Sequence, residues 1–408
     1  MPSAGSTLSP LSHRLFRNLW IATLIANFGS LVLAVGAQWT MTAIDGRADM
    51  VALVWTAMAL PMMLFSLVGG AVSDMHDRRL VLVVAYGCAA LVSALLALLA
   101  VEDMLTAWPL LAATFALGVA NAFYAPATQA SIGAVVPRSE LAGAASLNIL
   151  GFNVARTLGP ALGGAIVAAA GASAAFLANL LAALAAVVML FFWRPPASEP
   201  KPGASMLGSI AEGLVCVRDQ APLRAIVARA FVFTLAGSAA WALMPLVARD
   251  LVGGGPEQFG LLLGALGLGA VLGAAFSHEM RRRFDGETLV RLAALAYGAA
   301  CLVVASGPGI VVSFVALVVG GASWVQALSG FSVGGQIWSP RHAVGRVTAT
   351  VNTMIFGGIA LGGWLWGHFA EASGVAASVA ASGGAMVLVA ALGLVLPMPR
   401  QAQPQEAA

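Results

Sequence analysis

Apolar residues run along this chain in long blocks, broken by short stretches of glycine, proline or charge, and they seldom alternate with polar positions. A helix rising 1.5 Å per residue needs about 20 apolar residues to cross a hydrocarbon core about 30 Å thick. Twelve runs approach or exceed that length, at 18–44, 51–73, 80–101, 106–128, 141–169, 173–193, 225–248, 258–279, 288–306, 309–335, 346–369 and 374–396. The pattern predicts an all-α membrane protein with twelve transmembrane helices. Its breaks fall at 45–49, 74–79, 102–103, 137–140, 171, 194–222, 249–256, 281–287, 307–309, 339–341 and 371–374. The first run follows Arg14 and Arg17. It exceeds the 7–15 residues of a signal-peptide core, so a retained first helix is expected.

Composition supports this reading. Of 408 residues, 60% are apolar and 9% charged, with a mean hydropathy of +0.92. A soluble domain carries roughly a quarter charged residues, and soluble cores stop growing near about 250–300 residues. Net charge is +3, yet the basic residues stand singly between apolar runs, which argues against nucleic acid as a partner. They also fall on one side. Arg14, Arg17, Arg78, Arg79, Arg138, Arg194, Lys201, Arg218, Arg224, Arg281, Arg282, Arg283, Arg291, Arg341, Arg346 and Arg400 share it. The other side has Arg47 and Arg249 beside Asp45, Asp49, Glu102, Asp103, Asp250, Glu257 and Glu371. By the positive-inside rule the arginine-rich side is cytoplasmic, with both termini inside, in a bacterial plasma (inner) membrane. Cys88, Cys216 and Cys301 are far apart and lack metal-ligand spacing, so small core residues are expected rather than disulfides or a metal site.

The longest hydrophilic connection opens with Pro195, Pro196, Pro200 and Pro202 and continues as a short amphipathic stretch at 206–217. It reads as a cytoplasmic linker, 194–224, between an N-terminal bundle, 1–193, and a C-terminal bundle, 225–400, with a cytoplasmic tail at 401–408. The two parts also match at an offset of about 203 residues. Arg78 and Arg79 then fall on Arg281 and Arg282, and Gly118 falls on Gly321. Pro137 and Arg138 fall on Pro340 and Arg341, while Gly159 and Gly164 fall on Gly362 and Gly367. Parallel repeats of this kind put the substrate site near the midplane, where the halves meet.

Two motifs go beyond hydropathy. After the second run stands Gly70-Ala71-Val72-Ser73-Asp74-Met75-His76-Asp77-Arg78-Arg79. Gly70 permits close helix approach, and Asp74, Arg78 and Arg79 suit a charged latch that holds the halves closed on one side. A plain stop-transfer turn fits the same residues. A metal site from Asp74, His76 and Asp77 is disfavoured, because three neighbours at a water interface seldom converge. The fifth run holds Gly151, Ala155, Gly159, Pro160, Gly163 and Gly164. Small residues every four positions make a smooth face for close packing, and Pro160 frees a carbonyl.

The turn resembles the loop-2/3 signature of the major facilitator superfamily, with two departures. Met75 stands where a basic residue is usual and Asp77 where glycine is usual. In the second-half copy Ser277 takes the aspartate position, with Glu279 nearby. The resemblance covers essentially the whole chain. It implies two pseudo-symmetric six-helix bundles, alternating access and a monomeric transporter. The Gly159-Pro160-x-x-Gly163-Gly164 core resembles the fifth-helix signature of exporters. Phe16 to Trp20, with Asn27, Gly29, Gln38 and Trp39, and Asn148 with 153–156, are similar to the transmembrane secretion effector branch, which includes siderophore and antibiotic exporters.

Arg156 lies mid-span, where a charge costs at least about 2.5–3.5 kcal/mol, and no carboxylate stands at comparable depth. It is the first candidate for binding an anionic or acceptor-rich substrate; the competing role is a structural arginine bonded to helix carbonyls or Asn153. Polar stripes suggest cavity walls: Asn27, Ala34 and Gln38; Thr114, Asn121, Tyr124 and Thr128; Thr234, Ser238 and Trp241; Ser323, Gln326 and Ser329. Interhelical hydrogen bonds would use the same residues. Asp45, His368 and Glu371 are the candidates for proton coupling, and an interfacial role fits them equally. A secondary exporter, an antiporter by family expectation, is the leading function. A facilitator-type importer of the same fold is the alternative. A membrane enzyme or non-transporting receptor is disfavoured by short loops, and no cofactor is expected: the glycines lie in apolar runs and Lys201, the one lysine, sits among prolines.

Overall fold

The computed structural model describes residues 8–194, 206–340 and 343–399. The proline run of the linker, Lys201, Arg341, Arg400 and the side chain of Asp74 lie outside the described residues. Among those described there is no strand. The chain forms α1 (Arg14–Ile44), α2 (Ala48–Met75), α3 (Arg78–Val101), α4 (Ala107–Val135) and α5 (Leu141–Phe191). After the linker come α6 (Met206–Asp219), α7 (Ala221–Gly237), α8 (Ala239–Ala242), α9 (Met244–Leu246) and a π turn, Val247–Leu251. The rest is α10 (Pro256–Arg283), α11 (Gly286–Ala305), α12 (Ile310–Trp338), α13 (Val344–Ser373) and α14 (Val375–Val395).

Ten helices among the described residues are long and apolar enough to cross a membrane, against twelve runs expected. Two changes account for the difference. The fifth and sixth merge into α5, whose 51 residues would make a rod about 76 Å long if straight. Gly171 breaks it at φ 78° and ψ 175°, a conformation open only to a residue without Cβ. The seventh is divided: α7 ends at Gly237, and Pro245, with no N–H to give, starts α9 before the π turn. Helix α4 runs beyond the expected 128 to Val135 and tolerates Pro126. The amphipathic α6 forms as expected and docks on α13, where Glu212 pairs with Arg346.

Glycines related by the offset make equivalent contacts. A methyl at Gly159 would come within 2.9 Å of Leu31 on α1, and one at Gly362 within 2.5 Å of the Leu235 carbonyl on α7. Gly118 abuts Met58 and Pro61 on α2, as Gly321 abuts Leu266 on α10. Gly164 and Gly367 instead reach across to the other part of the chain, to Gly260 on α10 and Ala52 on α2.

The core is distributed unevenly. One large buried cluster joins both parts of the chain, from Met41, Val51 and Phe176 to Phe233, Trp241 and Trp366. A second, around Phe16, Leu82, Tyr86, Ile132 and Trp193, belongs to the first part alone and lies toward the arginine-rich end.

Candidate functional site

Two seams join the parts. Along α2 and α13, the Ala48 N–H donates to Glu371 at 2.8 Å and the Thr56 hydroxyl donates to the Ala360 carbonyl at 3.1 Å. Gly363 lies under the Thr56 hydroxyl, and Gly357 meets Met63. Along α5 and α10, Gly164 lies against Gly260, and Gly267 against the Arg156–Thr157 backbone. Trp39 also stacks on Phe259 at 6.2 Å. All of these contacts but Gly357–Met63, which falls just past mid-helix, lie in the half of the molecule nearer Asp45 and Glu371. Toward the arginine-rich end, a methyl on Gly70, Gly133 or Gly345 would meet nothing within 4 Å. The contacts that join the two parts thus concentrate toward the acidic end.

Arg156 lies where the seal ends. Its guanidinium carbon sits 5.4 Å from the ring centroid of Trp241, and the side chain is half-buried. Neither helix carbonyls nor Asn153 holds it; Asn153 gives its own carbonyl to the Thr157 hydroxyl at 2.9 Å. Trp241, on the short α8, stacks on Trp55 of α2 at 5.6 Å and 11°, and Trp324 of α12 leans on it at 6.0 Å. The arrangement brings a cation and three indoles from four helices to one level, and it can hold a flat aromatic group beside the indoles with an acceptor on the guanidinium.

The other cavity candidates divide. Gln38 is fully buried, and neither amide atom has a hydrogen-bond partner. Asn27 is half-buried on α1. Asn121 and Tyr124 line a cavity inside the first part, with Tyr86, Asn179, Ser30 and Met58, and Tyr124 stacks on Tyr86 at 4.9 Å. The hydroxyls of Thr114, Thr234, Ser238 and Ser323 turn back to carbonyls of their own helices. Gln326 donates to the Gly273 carbonyl at 3.1 Å, tying α12 to α10. These side chains are spent on helix packing.

At the acidic end Asp45 and Asp49 flank Arg47, at 3.8 and 2.5 Å. The bond from Asp49 raises the Arg47 guanidinium above its ordinary range, so this cation stays charged at any working pH. His368 bonds the Trp364 carbonyl at 3.0 Å one turn from Glu371. At the other end, the arginines expected in a latch bind within the first part. Arg78 donates to the Ala130 carbonyl at 3.0 Å, and Arg79 to the terminal carbonyls of Leu190, at 3.0 Å, and Phe191. Gly70 faces open space, and the close approach expected of it is made by Gly69 against the Ala122 carbonyl of α4. In the fifth-helix motif Gly151 lies beside Trp20, while Gly159 and Gly163 take the side chains of Leu31 and Val35. Ala155 and Pro160 are buried.

Sequence reasoning missed one buried ion pair. Arg229 of α7, 0% exposed, donates to Glu287 and to the Leu396 carbonyl, and Glu287 accepts the Met398 N–H at 2.7 Å. An arginine inside an apolar run was the available signal. The pair staples α7, α11 and the end of α14, remote from Trp241. Among the described residues no group of His, Cys, Asp and Glu has the makings of a metal site.

The comparisons agree on the kind of protein. A family model described as transmembrane secretion effector matches residues 5–408. The multidrug efflux pump Tap of Mycolicibacterium fortuitum is 26% identical, over 93% of this chain and 95% of its own. Among solved structures, the inward-facing, unoccupied form of a bacterial homologue of the human lysosomal transporter Spinster aligns with a TM-score of 0.73. It has 15% identity and covers 96% of both chains. A D-xylose–proton symporter aligns with a TM-score of 0.75 and 13% identity, covering 94% of this chain and 97% of its own.

Proposed function

The chain belongs to the transmembrane secretion effector family of the major facilitator superfamily, and on that premise we propose that it is a secondary exporter of small organic molecules. In this reading, twelve crossings form two six-helix bundles, 1–193 and 225–400, joined by the linker 194–224. The fifth and sixth crossings are the limbs of α5 on either side of Gly171, and the seventh is the chain from α7 through the π turn. The arginine-rich end faces the cytoplasm, both termini are inside, and the membrane is the bacterial inner membrane. The cavity is then open to the cytoplasm and sealed outside, ready to load cargo for export.

The observation that carries the reading is Arg156, a cation at mid-span with no protein counter-charge, set against Trp241 where the seal ends. A charge so placed needs a partner, and cargo is the partner that comes and goes. Gln38 adds an unpaired amide on α1. Asp74, Arg78 and Arg79 serve as the latch when the cytoplasmic end closes, and Gly70, now facing open space, is where the other half would arrive. Glu371, His368 and Asp45 are the coupling candidates, since they lie at the outer seal that a proton would have to loosen. The relationship to an efflux pump favours export over import.

The test compares cells carrying the wild type, the R156A variant or no copy, by metabolite profiling of cells and medium and by drug susceptibility. Export predicts cargo that accumulates outside only with the wild type. Cargo that accumulates inside the cells carrying it would make the protein an importer. Unimpaired export by a normally folded R156A variant would remove Arg156 from the binding site. Everted vesicles whose uptake ignores a pH gradient would remove proton coupling.

A further inference from the structure

We propose that Trp241 is a bolt on the acidic-end seal, released by cargo, and that the cargo class is a planar aromatic anion such as an arylcarboxylate or arylsulfonate. The proposal rests on the transporter reading of this cavity and deepens it.

Three observations converge on one side chain. The Arg156 guanidinium lies 5.4 Å from the Trp241 ring centroid, and that ring is its one recorded partner among the described residues. A guanidinium carries five N–H donors in its plane, and a ring cannot satisfy them. What the donor edge fits is a flat, two-oxygen acceptor, bound bidentately. Next to it stands an aromatic wall, Trp241 with Trp324 at 6.0 Å and Trp55 at 5.6 Å, which suits a fused or single aromatic ring attached to that acceptor. No carboxylate lies at this depth to repel the anion or to receive a cationic cargo instead.

The third observation ties the site to the seal. Trp55 comes from α2 and Trp241 from α8, so their near-parallel stack, 11° between planes, crosses from one part of the chain to the other. The next residue, Thr56, makes the seam's hydrogen bond to Ala360 at 3.1 Å. The Trp55 indole N–H is buried without a hydrogen-bond partner, so packing alone holds this ring, with Trp241 stacked on it and Gly363 beside it. An anion on Arg156 neutralises the charge that draws the guanidinium to Trp241, and its ring competes with Trp55 for stacking on that indole. Occupancy therefore undoes two of the contacts that close the acidic end. A neutral or cationic ring of the same size lacks the bond to Arg156 that neutralises the guanidinium and fixes the ring beside Trp241.

The experiment uses the purified full-length chain in detergent, with 2-naphthoate, 2-naphthalenemethanol and 2-naphthylmethylammonium as probes. Calorimetry reads binding, and alkylation of the thiol introduced by A52C, followed by peptide mass spectrometry, reads opening; Ala52 is fully buried in the seam. The expected result is that naphthoate binds roughly tenfold or more tightly than either analogue, as a charge-assisted bidentate bond allows, and speeds alkylation several-fold. R156Q abolishes the anion preference, R156K keeps part of it, and W55A raises alkylation without any probe. Equal or undetectable binding of the three probes by the wild type overturns the cargo class, as does an anion preference that survives R156Q or vanishes fully in R156K. Naphthoate that binds without speeding alkylation overturns the bolt. No membrane or gradient is present, so these outcomes are independent of transport direction, and failure of the export reading would show only in cells.

Discussion

Along the α5–α10 seam the chain brings bare backbone to bare backbone, with Gly164 on Gly260 and Gly267 on the Arg156–Thr157 peptide. Along α2–α13, its counterpart under the offset of the repeat, side chains do the closing: Glu371 on the Ala48 N–H, the Thr56 hydroxyl on Ala360, and Ala52 against Gly367. Equivalent positions have thus been built from different materials. A backbone seam has nothing that can swing aside, so it acts as a fixed hinge line. A side-chain seam has rotamers, protons and hydrogen bonds that can be exchanged, so it is the one that conditions and cargo can loosen. The bolt at Trp241 lies between them.

Substitutions can break this contrast in order of force. G164V should be the most damaging, because its methyls meet the Pro256 carbonyl and Gly260 backbone, which cannot give. Overpacking of this kind costs about 1–3 kcal/mol. Thermal unfolding of the purified protein should show the loss, and no single substitution on α10 should restore it. G367A should cost less, because its closest neighbour is the Ala52 methyl at 2.6 Å, and adding A52G should recover most of the stability. A failure of that rescue would make both seams equally rigid. E371Q removes a charge from the α2 N-terminus, worth about 0.3–1 kcal/mol. Alkylation of the A52C thiol should rise about two- to fivefold, with the melting temperature almost unchanged. R78A should be smallest at this end: its bond to Ala130 stays inside the first part, so A52C labelling should hold steady. A rise would mean that the two ends of the molecule are coupled even while the cavity is open.

Much of the fold was legible because hydropathy and sidedness depend on nothing beyond the local chain. The breaks at 171, 307–309 and 374 coincide with glycines at positive φ, where sequence and backbone say the same thing. The seventh run was read as continuous because its hydropathy is continuous; Gly237, Pro245 and the π turn interrupt the helix without interrupting the apolar surface. The site was harder to read. Arg156 stood out through its cost in the membrane, but Trp55, which stacks on its partner Trp241, carries no such signal, since one tryptophan in an apolar run looks like any other until α8 is folded onto it. Gly70 drew attention by its motif, while Gly69, one position earlier, makes the contact seen in this conformation. Hydroxyl stripes misled for a related reason: a serine or threonine on a helix can bond the carbonyl three or four residues back, and Thr234 and Ser323 do so.

The glycine turn inside α5 has a mechanical corollary. Its two limbs are joined by a single residue and leave no slack; both bear on α1, but the first also meets α10, while the second carries Asn179, bonded to Ser93 of α3 at 2.8 Å. A tilt of the first limb must therefore be handed directly to α3, as a crank passes rotation to its shaft. Lengthening that elbow by a few flexible residues would uncouple the crank, leaving each limb folded while the stroke is lost.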